Sequence, residues 1–520
     1  MNHGMILGCL QAHPGWQGQG KDNNWISLKR SAGSHKIASF MRKEGWDIEV
    51  IDYWLAFTEE EFQTLIRARV TSDTKFIGVS VTFGFRGDTL KRAQDNLTWL
   101  KENYPDIMIV AGSKSISDTM NLPCDYYVTG YGEFGLQHLL NGTAKITDFQ
   151  GKKVVNSDKD HPCFPQKDLV TRYEERDFIQ PTDTLTLELS RGCKFKCKFC
   201  SYNAIGLKGD IDRDMSTLYA ELKENYEKWG VTDYHVADET TNDNTEKLRR
   251  AAEEIRKLPF TPNMTGFIRA DLLISREHDK EYLAEMGYWA HFYGIETFDQ
   301  KAGQVIGKGM NRDKQKQGLL DLRDYFWKQC GRYRSTTSLI VGLPYETRQS
   351  LFDGLDWHKE NFPKENLQIN ILFINKFAEH LGDMFSQSDF DMTWKDGKHF
   401  HEKLIQDDEE VEATPEAFVD GLKHLWFNYK RHSALPWSHD TFNWWTAHLA
   451  TRDIYMSNKN YMRDRGPMNW DLFNFTTPGT YDWDSVLDIS YDNYDVEQLD
   501  KDTKLHIQKY INAKLNVEIL

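Results

Sequence analysis

Short apolar runs separated by amphipathic stretches set the rhythm of the first 140 residues. "MILGC", "IEVIDY", "FIGVSV", "IMIVAG" and "YYVTG" each suit a strand buried on both faces. Between them, "SHKIASFMRKEG" and "LKRAQDNLTWLKENYPD" carry helical periodicity. This alternation predicts a doubly wound parallel sheet over residues 1–145. The polar run through residues 146–182, with Pro162 and Pro165, reads as a linker. A second alternation follows in "TLTLELS", "DYHVAD", "MTGFIRA", "AHFYGIE", "TTSLIVG" and "LQINILFIN". Helical stretches separate these strands, with Ser216 and Ser275 expected as N-caps. Six strand–helix units in residues 183–375 predict a partial (β/α)6 barrel rather than a closed eightfold one. From 376 to 520 the rhythm is lost. That region holds seven of the sixteen tryptophans and reads as a mainly helical lid or substrate domain, with "QDDEEVEATPEAF" leading an acidic loop into a helix.

Composition narrows the class. A net charge of -15 argues against bulk nucleic-acid binding. The N-terminus lacks a basic, apolar leader and no run reaches membrane-span length, so a soluble, cytoplasmic protein is expected. Seven cysteines, an odd number and sparse outside one cluster, argue against a disulfide framework.

The cluster is "CKFKCKFC", with Cys193, Cys197 and Cys200. Lys194, Lys196 and Lys198 are interleaved, which excludes a buried strand. Three thiols are one short of a structural zinc site, whose fourth ligand would have to come from a distant residue such as His161 or His235. Thiolates also hold iron–sulfur clusters, and three of them leave one iron open to a small molecule. Cys124 and Cys330 read as buried thiols.

The Cys-x3-Cys-x2-Cys spacing, with Phe199 before the last cysteine and the loop following the first barrel strand, resembles the radical S-adenosylmethionine (SAM) superfamily. "DETTND", "GIETFDQKAGQVIGKG" and "IVGLPYETRQS" resemble its branch with an N-terminal cobalamin-binding domain. The resemblance spans roughly residues 30 to 375. It implies a 4Fe–4S cluster on the three cysteines, SAM on the open iron, and reductive cleavage of SAM to a deoxyadenosyl radical. It also implies roles at the strand ends. Arg269 would pair with the SAM carboxylate, Asp238 or Glu239 would accept from its amino group, and Glu296 would bind the ribose. The backbone of Phe199 to Tyr202 and of Ile340 to Gly342 would hold the adenine.

"DYYVTGYGEFGLQHLL" resembles the end of the cobalamin domain, and Ser80 and Gly112 match its nucleotide-tail positions. The histidine fingerprint is incomplete: His13 is present, but Gln11 and Trp16 stand where aspartate and glycine are expected. The domain therefore reads either as a cobalamin site or as a scaffold. The activity implied first is cobalamin-dependent methyl transfer to carbon. A rival is cobalamin-independent rearrangement, cyclisation or oxidation, and a non-catalytic zinc module is the alternative of another class. The substrate, a small molecule or a modified polymer, is not legible. The superfamily implies a reductant such as flavodoxin or ferredoxin.

Overall fold

The computed structural model describes residues 2–8, 30–81, 87–114, 116–162, 170–200, 202, 207–363, 365–372, 404–406, 409–411, 437, 439–457 and 496–516. Two parallel sheets organise it.

The first sheet is built from β1 (His3–Gly8), β2 (Asp47–Ile51), β3 (Thr74–Ser80), β4 (Met108–Ser113) and β5 (Tyr126–Thr129). It is extended by β6 (Thr147–Phe149) and β7 (Lys152–Asn156). The order is β2-β1-β3-β4-β5-β7-β6, parallel except for the β6–β7 hairpin. Because the order reverses about β1, helices cover both faces and apolar cores form on each side. Local signals agree with this placement. Thr58 closes a capping box with Glu61 on helix Glu59–Arg69, with acids in its first turn and Arg67 and Arg69 in its last. Part of the expected linker belongs to this sheet instead: Val154 and Val155 are buried and pair in parallel with β5. Two apolar residues in a polar run were enough to pair.

The second sheet contains β8 (Thr184–Leu187), and a short ladder joins β9 (Ser190–Arg191) to β10 (Ile211–Asp212) beside it. It continues through β11 (Asp233–Val236), β12 (Asn263–Ile268), β13 (Tyr288–Glu296), β14 (Arg334–Val341) and β15 (Asn366–Ile371). The order is sequential, β15-β14-β13-β12-β11-β8, and every pairing is parallel. This is the sixfold partial barrel. Register places Leu185, Leu187, Tyr234, Val236 and Met264 on one face, packed in the main core. His235, Thr265, Phe267, Phe292 and Ser338 share the other face.

Neither expected N-cap has that role. Ser216 is the first residue of helix Ser216–Trp229, where Asp214 accepts from its backbone N–H. Ser275 ends helix Ala270–Ser275, its hydroxyl donating back to the Asp271 carbonyl. An aspartate two residues earlier outcompetes the first serine for the free N–H groups.

The described parts of the C-terminal region divide between the two sheets. Trp437 and helix Trp444–Ser457 pack on the barrel core, with the Trp437 indole donating to the Leu372 carbonyl. Helix Val496–Asn516 instead closes the first sheet, where Ile507, Tyr510 and Ile511 join its core. Lys514 is fully buried on Glu49 at 2.9 Å. The Asp52 N–H donates to the Tyr510 hydroxyl, and His506 meets Asp183. Arg30 is buried between Asp52 and Asp183 and joins these pieces. The acidic loop lies largely outside the described residues, as do Cys9, Cys163 and His13.

Candidate active site

The cysteine loop leaves β9 and returns toward β10. Its backbone is tied at both ends: Cys193 N–H donates to Leu207, Gly209 N–H to Cys193, and Lys198 N–H to Ile306. Within the loop, Lys194, Lys196 and Lys198 are exposed, while Phe195, Cys197 and Phe199 are half-buried. The loop therefore turns its lysines to water and its thiols and rings inward. Burial pushes the Cys200 thiol up to about 11, and the Cys197 and Cys193 sulfurs add to the rise, which places all three thiols in one field. Lys308 and Arg269 oppose the same effect at Cys197.

The donor set fits a multi-iron cluster. Three soft thiols face two cations that can offset thiolate charge, and Cys193 Sγ lies 3.9 Å from Thr240 Oγ1. Among the described residues, no three His, Cys, Asp or Glu side chains are gathered to hold a single metal ion. His235 is hydrogen-bonded to Thr265 inside the barrel, and His161 stacks on His138 at the first sheet.

The ends of the barrel strands surround this loop. Arg269, at the end of β12, donates to Cys197 Sγ at 3.6 Å, chelates Asp271 and covers the Phe195 ring at 4.1 Å. Glu296, at the end of β13, has a left-handed backbone (φ 67°) and turns back over Gly294 to meet Lys308 at 2.8 Å. A Cβ on Gly294 would sit 2.6 Å from that carboxylate, so the glycine makes the pairing possible. Tyr345, just beyond β14, is left-handed as well (φ 69°). Gly342 (φ 93°) directly follows the same strand, and its missing Cβ makes room for Trp437. Ile340 is buried there.

The two acids after β11 part company. Asp238 is buried and occupied: it accepts from Leu189 N–H and Ser190 Oγ and meets Lys247. Its job in the structure is to hold the strand that feeds the cysteine loop. Glu239 is partly exposed and pairs with Lys114, which projects from the end of β4 in the other sheet.

Contacts between the sheets continue around the loop. Lys114 Nζ lies 4.4 Å from the Tyr202 ring centroid, and the Tyr202 hydroxyl lies 3.4 Å from that of Tyr131. The C-terminal edge of the first sheet thus faces the C-terminal edge of the second. Ser80 and Gly112 sit side by side at that first edge, in register on β3 and β4. Sequence reading missed Lys114, Tyr131, Arg191 and Lys308. Arg191 and Lys308 stand inside or beside quoted motifs, but their partners lie 58 and 12 residues away, beyond what a motif displays.

Comparison with known proteins places this geometry. Residues 187–357 match the family model of the radical SAM superfamily. An uncharacterised methyltransferase of Pyrococcus horikoshii is 22% identical over 345 residues, which cover 61% of this chain and 70% of that protein. The structure of a radical SAM methyltransferase, TsrM, from Kitasatospora setae with cobalamin and a 4Fe–4S cluster bound superposes with a TM-score of 0.55. The two are 14% identical, over 71% of this chain and 75% of that one. The cobalamin-dependent SAM radical enzyme OxsB superposes with a TM-score of 0.51 at 18% identity, over 69% of this chain and 51% of that one. The fold is therefore shared with cobalamin-dependent enzymes of this kind. Among the described residues, no helix is long and apolar enough to cross a membrane.

Proposed function

Residues 187–357 form a radical SAM domain, which implies a 4Fe–4S cluster and SAM, and from that premise we propose that the protein is a cobalamin-dependent methyltransferase acting on carbon. The observation that carries this reading is the meeting of the two sheet edges. Lys114 and Tyr131, at the ends of β4 and β5, touch Glu239 and Tyr202, beside the cysteines. A methyl carrier seated on the first edge would face SAM seated on the second. The methyltransferase relative and the folds of TsrM and OxsB point the same way.

When bound, the cluster supplies the electron that cleaves SAM, and cobalamin supplies a carrier for the methyl group. The chain's own residues would do the rest. Cys193, Cys197 and Cys200 hold the cluster. Arg269 holds the SAM carboxylate, its guanidinium already oriented by Asp271. Glu239 takes the SAM amino group, a task for which Asp238 has no free oxygen. Glu296 is directed to the ribose and is held in place by its ion pair with Lys308. The backbone at Phe199 to Tyr202 and Ile340 to Gly342 lines the adenine, and Ser80 and Gly112 lie along the cobalamin tail. The domains divide the work as residues 1–145 together with β6 and β7, 183–375 and 376–520, with the final helix serving the first.

The test is product analysis after anaerobic reconstitution with SAM and dithionite, with and without cobalamin, using Cys197→Ala as the blank. S-adenosylhomocysteine that appears only with cobalamin supports methyl transfer. Deoxyadenosine alone, indifferent to cobalamin, favours radical rearrangement or oxidation and makes the first sheet a scaffold. Neither product above the blank removes the SAM reading.

A further inference from the structure

Residues 188–191 lead directly into the cysteine loop, and they are gripped from two sides. Asp238 of the barrel takes Leu189 N–H and Ser190 Oγ. Glu188 and Arg191 are taken by the first sheet. Arg191 is buried and its guanidinium meets Glu133 at 2.5 Å, on helix Gly132–Leu140. It also chelates Glu188 at 2.7 and 3.1 Å and lies 4.2 Å from the Tyr131 ring centroid. Lys36, on helix Ala32–Lys43, reaches Glu188 at 3.4 Å. Against the desolvation that burial imposes, Arg191 and Lys36 hold Glu188 down to about 2. Tyr131 then reaches the far end of the loop through its hydroxyl contact with Tyr202. One ring from the first sheet therefore touches Arg191, two residues before the first cysteine, and Tyr202, two residues after the last.

We propose that Arg191 is a positioning residue that fixes the cysteine loop to the first sheet through Glu133 and Tyr131, so that the first sheet sets the geometry of the cluster whatever else it binds. Arginine suits this position because its planar fork serves two carboxylates and an aromatic face together, which a lysine ammonium cannot. The energetics favour coupling. Arg191 and Lys36 balance Glu133 and Glu188 in this cluster, so removing one carboxylate leaves one positive charge uncompensated, and the neighbouring backbone shifts to relieve it. Three residues on two different helices and a loop converge here, so the arrangement depends on the first sheet being folded and in place.

The inference rests on the cysteines holding the cluster and needs nothing from cobalamin. Wild-type, Glu133→Gln and Tyr131→Phe proteins are reconstituted anaerobically, iron is counted, and the dithionite-reduced cluster is examined by electron paramagnetic resonance. Glu133→Gln should keep the wild-type iron content yet shift the g-values. It should also slow single-turnover SAM cleavage by about 100-fold, with KM for SAM within about twofold, as expected for a displacement of about an ångström at the reacting centre. An iron-replete Glu133→Gln protein with the wild-type spectrum and rate overturns the proposal. If Glu133→Gln loses iron or its fold, Tyr131→Phe decides, because it leaves every charge in place. A shifted spectrum supports the bridge and an unchanged one overturns it. A wild-type protein that takes up no iron would defeat the cluster reading itself, a separate result.

Discussion

The two parallel sheets use similar apolar strands and reach opposite solutions. In the first, β1 sits between β2 and β3, the chain winds both ways, and both faces are buried. In the second the order is sequential, and register separates an apolar outer face from a face carrying His235, Thr265 and Ser338. A sheet wound in both directions has only its edge to offer a ligand, whereas a sheet wound one way offers an edge and an interior. The difference also shows in what closes each unit. The barrel is covered by residues near it in sequence, including Trp437. The first sheet is completed by helix Val496–Asn516, from the other end of the chain. Stability and chemistry should therefore separate under mutation.

The largest expected effect is on the first sheet. Lys514→Met leaves Glu49, which Lys514 and Arg69 together hold below the usual carboxylate range despite the desolvation of burial, with Arg69 as its remaining partner at 3.2 Å. Breaking a buried pair costs about 3–5 kcal/mol, and with Arg69 in place the loss should fall at the lower end of that range. Chemical denaturation should show that loss, while the iron content of the folded protein stays at the wild-type value. Equal loss of iron would mean that the two units do not separate in this way.

A smaller effect is expected at the barrel edge, with the sign of the comparison reversed. Arg269→Ala removes charge-assisted hydrogen bonds worth about 1.5–3 kcal/mol. SAM binding, measured by calorimetry on iron-loaded protein, should weaken by about ten- to a hundredfold. The melting temperature of the first unit should not move. Unchanged SAM affinity would remove Arg269 from the carboxylate site.

The smallest effect is a slope. Glu346 is buried just beyond β14 and accepts from Thr297 Oγ1 at 2.5 Å. Burial raises its carboxyl from the ordinary 4.5 to about 8. The folded state therefore keeps a proton that the unfolded chain releases. The stabilisation is complete below 4.5 and is lost as pH rises through about 8. Stability should fall across that window by at most about 1.4 kcal/mol per pH unit from this group. Glu346→Gln, which can still accept from Thr297, should flatten the slope in melts taken from pH 5 to pH 8, relative to wild type. An identical slope in both proteins would assign it to other groups.

Much of the site was readable in order but not in contact. The spacing of Cys193, Cys197 and Cys200 names the chemistry because all three thiols lie on one short loop, and local spacing survives folding. Arg269, Glu296 and Glu239 were legible as residues at strand ends, and the structure brings each to the rim of that loop or beside it. Asp238 looked equivalent to Glu239, its neighbour. Only the fold shows that one is spent on Leu189 and Ser190 and the other turns to Lys114. The places of β6 and β7 within the expected linker, and of the final helix within the C-terminal region, are not legible in the sequence for one reason. Each pairs with residues distant in sequence, and nothing in its own composition marks the partner.

Apolar periodicity therefore determined the two sheets, and a short motif determined the cluster, because both depend on neighbours within a few residues. Tertiary structure alone decided which partner each carboxylate meets, which helix closes which sheet, and that Arg191, Tyr131 and Lys114 hold the two edges against each other. Those outcomes depend on desolvation and on charges brought together across the chain, and a charged residue's partner is set by where the backbone takes it.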